Sequence, residues 1–185
     1  MRGGDARASC ARASMRHRRV VHAKGRDVGY AILRSIHLLG VIAWVGGMFF
    51  MVACLRPAAA TLEAPQRVVL MRAALRRFLD VAGVAALLVL ASGASMIAMT
   101  TRTEARAGVG VTLAIDSIVM AALGLLMVVV YIYVRLVPWR GLQRAADAQA
   151  WPDAAAALAR IRTLVVLNVV LAVAIVVVTR LGAMA

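Results

Sequence analysis

Acidic residues are scarce in this chain: eight Asp and Glu stand against 22 Lys and Arg, a net charge of +14 over 185 residues. Disorder driven by acidic self-repulsion is thereby excluded. Lysine is almost absent, with Lys24 the single example, so the basic surplus is arginine. The two cysteines, Cys10 in a polar tail and Cys54 in an apolar run, form no disulfide framework and no Cys-x-x-Cys pair. There is no Gly-rich phosphate loop and no nucleophile placed with a base, which points away from an enzyme. Charged residues are only 16% of the chain and hydrophobic ones 63%. Soluble domains run at about 25% charged and about 45–50% apolar, so an ordinary water-soluble fold is excluded as well.

What is present is a set of long apolar runs. Residues 31–55, 78–99, 109–137 and 163–179 each meet the roughly 20 residues needed to cross a bilayer. A backbone in lipid must satisfy its own hydrogen bonds, so these runs are expected to be helices. Pro65, just after Thr61 and Glu63, marks a helix start from which an apolar pattern runs into the second span. Trp151-Pro152-Asp153 marks another, leading through Ala154–Arg162 into the fourth. The expected fold is all-α: an integral membrane four-helix bundle, up-down-up-down, with two helices projecting on one side. Residues 1–28 form a basic tail with no apolar period, expected to be disordered. Residues 29–183 form the transmembrane domain, and no second domain fits the length.

Arginines flank every apolar run, which the positive-inside rule explains without nucleic acid. The connectors 55–78 and 135–163 carry ten arginines, whereas the opposite face carries Arg102, Arg106 and Arg180. This assigns the two connectors, and the projecting helices with them, to the cytoplasmic side of a multi-pass membrane protein. The tail's eight basic residues oppose that assignment if the chain starts at Met1; a start at Val28 restores it, and an intact mass of the native protein separates the two. The Arg18-Arg19 pair and the lipobox-like Met51-Val52-Ala53-Cys54 raise a signal-peptide reading. The first apolar run is too long for it, since a signal core spans about 7–15 residues.

Ionisable groups inside a bilayer are costly and therefore informative. Of three histidines, His17 and His22 lie in the tail and His37 alone lies within a span. Arg34, Asp80 and Arg135 lie near span ends, where snorkelling or pairing with Arg76 and Arg77 accounts for them. Asp116 lies deeper, about 12 Å along its helix from Gly108, and His37 lies about 9 Å from the same face. Met96 and Met99 close the second span on that side. Antiparallel threading is expected to bring His37, Met96, Met99 and Asp116 to similar depth, where they form either a metal site or, through Asp116 with His37 or Arg34, a structural pair. A weaker sulfur cluster, Met48, Met51 and Cys54, follows three-residue steps on the side of His37 and Trp44. Soft sulfur suits Cu(I), but methionine is also ordinary core filler. Gly40, Ala43, Gly46 and Gly47 give the first helix a small-residue face beside Trp44, fit for close helix packing or for a flat macrocycle. Asn168 is expected to bond between helices. A polar path for transport has only His37, Asp116, Ser92, Ser95, Ser117 and Thr112 to line it.

The run Ile36-His37-Leu38-Leu39-Gly40-Val41-Ile42-Ala43-Trp44-Val45-Gly46-Gly47-Met48-Phe49-Phe50 resembles the first span of the CopD family, the copper resistance protein D group of bacterial inner membranes. Leu55-Arg56-Pro57, Val137-Pro138-Trp139-Arg140, Trp151-Pro152-Asp153 and the stretch from Ile161 to Asn168 agree with it, so the resemblance covers most of residues 29–182. It implies a helical bundle of a bacterial inner membrane concerned with copper binding, uptake or homeostasis, for which His37, Met96, Met99 and Asp116 are the candidate ligands. Its partners would be the bilayer, a second copy or a membrane complex, and a periplasmic copper protein. The first span is also similar to that of HemJ-type proteins, which implies the alternative of a haem-binding redox protein with His37 on haem b. Spans two to four hold no histidine, so bis-histidine haem within one chain is excluded; His/Met ligation is not. The remaining alternative is a cofactor-free partner subunit.

Overall fold

The computed structural model describes residues 28–108 and 115–182. The basic tail with Cys10, His17, His22 and the twin arginines lies outside the described residues, as do Thr112 and the start of the third apolar run. Helix α1 spans Val28–Ala59, α2 Ala64–Arg106, α3 Ile115–Leu136, α4 Pro138–Asp147 and α5 Trp151–Gly182. No strand occurs among the described residues. Four helical segments are long and apolar enough to cross a membrane, and the fold is an all-α four-helix membrane bundle.

Each helix end has a local cause. Pro65 stands in the first turn of α2, where its missing N–H costs no hydrogen bond, and the helix is unbroken over its 43 residues. It stops at Gly108, whose φ of +70° is a backbone turn that glycine adopts without a Cβ penalty. Within α1, Pro57 has no N–H to offer the preceding turn and crowds its carbonyls. The helix widens there into a π turn over Met51–Leu55, closed by the Arg56 N–H on the Met51 carbonyl.

Pro138 likewise breaks the third membrane helix, and Val137 turns to φ −111°, ψ −77°. The chain then enters α4, a short amphipathic helix that the sequence marks only as connector. Trp139 and Leu142 bury against α3 and α5 while Arg140 and Arg144 stay exposed. Its C-terminus is closed by Ala150 N–H on the Ala145 carbonyl and Gln149 N–H on that of Ala146, with Gln149 at φ 54°. This two-bond closure reverses the chain into α5 within a few residues.

The helices pack around a core of Trp44, Met48, Leu79, Met127, Trp139 and Ile161. Contacts between α1 and α2 run in opposite directions along the two helices: His37 meets Ser92, Gly40 meets Val89, and Gly47 meets Phe78. Tyr131 joins three helices: its hydroxyl donates to the Leu79 carbonyl at 2.9 Å, and its ring meets Trp44 edge-on at 6.2 Å. A Cβ on Gly83 would stand 2.6 Å from that hydroxyl, so glycine there makes the bond geometrically available. Asn168, buried in α5, donates from Nδ2 to the Met127 carbonyl on α3. Asp80 pairs with Arg135 across the α2–α3 contact at 2.8 Å, in place of the expected pairing with Arg76 or Arg77. Arg76 and Arg77 lie one turn before Asp80 on its own helix and stay exposed, while α3 brings Arg135 to the carboxylate. Large apolar side chains such as Leu39, Ile42, Phe49, Leu87 and Val129 face outward, as a surface in contact with lipid requires.

Candidate intramembrane histidine site

The imidazole of His37 projects from α1 onto α2, where its Nδ1 lies 3.1 Å from the Val89 carbonyl and 3.1 Å from Ser92 Oγ. A carbonyl only accepts, so Nδ1 carries the proton. Ser92 sends its own hydroxyl proton to the Leu88 carbonyl at 2.5 Å, which leaves Ser92 Oγ as a second acceptor for the same N–H. Both acceptors exist because α2 is helical: Ser92 bonds back to its preceding turn, and the Val89 carbonyl, also within 3.2 Å of Ser92 Oγ, faces α1 at that level. Ser92 is 3% exposed, so this bond is shielded from water.

With the proton fixed on Nδ1, the lone pair of a neutral imidazole is on Nε2. No hydrogen bond to Nε2 occurs among the described residues. This is how protein histidines are held for metal ligation: one ring nitrogen donates to a carbonyl, and the other is left basic and oriented. Glycine makes the approach of the two helices close enough. A Cβ on Gly93 would sit 3.3 Å from His37 Cε1, and a Cβ on Gly40 would sit 2.8 Å from Val89 Cγ2 and 3.4 Å from the Ala85 carbonyl oxygen.

The other residues singled out from the sequence are distributed unequally around this point. Met96 and Met99 are half-buried on α2, about 6 Å and about 10 Å beyond Ser92 along the helix. Asp116 lies in the first turn of α3, and its side chain is outside the described residues. Met48 and Met51 are buried in the core, whereas Cys54, carried round by the π turn, is exposed. Gly47 packs against Phe78; Gly46 has open space above it; Ala43 and Gly40 line an open apolar groove of about 580 Å³ between α1 and α2. Among the described residues no three His, Cys, Asp or Glu side chains cluster. A metal at His37 would therefore draw on thioether or carboxylate donors outside such a cluster.

Sequence reasoning named Ser92 as a polar path residue and missed it as the partner of His37. The signal available was Ser92-Gly93, a polar and a small residue adjacent in an apolar run, able to receive a side chain from a neighbouring helix.

Residues 72–181 match the copper resistance protein D family, CopD, which is more than half of the chain. The chain belongs to that family. No curated protein and no solved structure matches it. The CopD match runs from the third turn of the long α2 helix through α5, so it takes in Val89, Ser92 and Gly93 and leaves out His37 on α1. Family membership together with four membrane-capable helices makes this a copper-resistance-related, multi-pass membrane protein.

Proposed function

We propose that the chain binds copper within the membrane and passes it across or into it, with His37 Nε2 as the anchoring ligand. The observation that carries this reading is the hydrogen bond from Nδ1–H to the Val89 carbonyl, which fixes the tautomer and presents Nε2. Membership in the copper resistance protein D family supports copper as the cargo. Imidazole and thioether suit copper, and the donors nearest in sequence register are Met96 and Met99, with Asp116 as the carboxylate. One transmembrane histidine per chain leaves coordination to be completed by these residues or by a second copy. The test is a competition titration of copper(I) into the detergent-purified full-length protein, with X-ray absorption on the loaded form. We expect about one copper per chain with one imidazole nitrogen in its shell. Failure to bind copper above a metal-free membrane protein control would overturn the reading.

We also propose an inner-membrane orientation, up-down-up-down, in which connectors 55–78 and 135–163 face the cytoplasm. The ten arginines they carry support it. A fluorescent protein inserted after Gln149 should therefore be bright, and alkaline phosphatase inserted there inactive. Active phosphatase at that position would reverse the assignment.

A further inference from the structure

At the end of the bundle where α1 widens into its π turn, the C-terminal part of α1, the start of α2 and the first half of α5 do not close on one another. They leave a cavity of about 400 Å³. Its walls are of two kinds. Met51, Val68 and Ile161, each buried, form an apolar floor; Arg56, Arg67 and Arg162, one from each helix, stand around it. No Asp or Glu lines the cavity. None of the three guanidinium groups makes a hydrogen bond or ion pair among the described residues. Two other arginines of this protein, Arg72 and Arg135, do pair with carboxylates. Arg56 and Arg162 are exposed and Arg67 is half-buried, so solvent screens their mutual repulsion only in part, and an anion shared between them would offset the rest.

We propose that this cavity is a binding site for one anionic phospholipid, its phosphate held by Arg56, Arg67 and Arg162 and its upper acyl chain laid over the Met51–Val68–Ile161 floor. The guanidinium fork matches phosphate oxygens in geometry as well as charge. The floor decides between lipid and free phosphate. A soluble anion would leave the apolar floor against water, whereas a lipid can cover it from the cytoplasmic membrane surface, where α1, α2 and α5 leave the bilayer. Basic pockets between transmembrane helices take lipid headgroups by this combination. The site is separate from His37 and does not depend on the copper reading.

The experiment is native mass spectrometry of the full-length protein, counting retained lipid after exchange into micelles containing phosphatidylglycerol or phosphatidylcholine. One phosphatidylglycerol should be retained per chain, and no phosphatidylcholine. At about a fivefold factor for each guanidinium that holds the lipid phosphate directly, Arg67→Gln with Arg162→Gln should weaken retention by about 25-fold. Arg76→Gln with Arg77→Gln removes the same charge from exposed positions outside the cavity and should change retention little. Ala155→Trp fills the cavity with every arginine in place and should also displace the lipid. Equal loss in the Arg67/Arg162 and Arg76/Arg77 variants, or equal retention of both lipids, would overturn the proposal. Displacement of the lipid by millimolar inorganic phosphate would overturn it too, since the site would then belong to a soluble anion.

Discussion

Replacing His37 with alanine is expected to lower copper affinity by more than about 100-fold while the bundle still assembles. The two halves of that expectation rest on different quantities. For binding, His37 Nε2 is the oriented lone pair, and even partners that act only by holding a ligand in place are worth about 10- to 100-fold in affinity. For folding, the variant loses one interhelical hydrogen bond, worth about 0.6 kcal/mol on average in a membrane. Ser92→Ala is the graded companion: it removes one of the two acceptors of Nδ1–H but leaves the Val89 carbonyl, so affinity should fall by about tenfold. Competition titrations with copper(I) on wild type, His37→Ala and Ser92→Ala, each checked for a monodisperse bundle, give the order directly. An alanine variant that keeps wild-type affinity would place copper elsewhere in the chain and leave His37 as a helix-packing residue.

Gly40→Leu should be the most damaging single change on α1. A Cβ at this position already meets the Val89 methyl at 2.8 Å and the Ala85 backbone oxygen at 3.4 Å. The methyl can rotate, but the backbone of α2 cannot, and a leucine adds three further carbons. Overpacking of this kind costs about 1–3 kcal/mol. It also forces α1 and α2 apart one turn from His37, lengthening the bond to the Val89 carbonyl that orients the ring. Lower thermal stability in detergent and weaker copper binding should therefore appear together. Gly46→Leu is the comparison, because nothing lies within 4 Å of a Cβ there; it should leave both properties near wild type. Equal behaviour of the two variants would mean that α1 and α2 do not pack at the separation described.

The membrane bundle was legible from the sequence because lipid leaves the backbone few choices. An apolar run of some 20 residues has to be a helix, and Pro65 and Trp151-Pro152-Asp153 mark where two of the helices begin. Helix α4 was not legible: in Pro138–Asp147 the polar and small residues outnumber the large apolar ones, and Trp139 and Leu142 become a buried face only once α3 and α5 provide a surface. The expected sulfur stripe shows the converse. Each three-residue step from Met48 to Cys54 already slips by about 60° on a regular helix, and the π turn at Met51–Leu55 adds to that slip, so Cys54 is exposed while Met48 and Met51 are buried. A widened turn changes the angle per residue, so spacing counted on a regular helix misplaces everything beyond it.

For the site, composition and depth were enough to single out His37, since a lone ionisable residue in a span is costly and needs a partner. They could not say which partner. An apolar run supplies a carbonyl at every residue and several hydroxyls, and only the rotation and separation of α1 and α2 decide that Val89 and Ser92 receive the ring. The same holds for Asp80, which its own helix leaves beside Arg76 and Arg77 and the packing of α3 assigns to Arg135. The sequence by itself determined the environment of this protein, its helices and the rarity of its intramembrane histidine, because those properties come from transfer free energies summed along the chain. The tertiary structure alone decided which tautomer His37 adopts and which arginines share a cavity, because hydrogen bonds and charge clusters depend on distances between helices far apart in sequence.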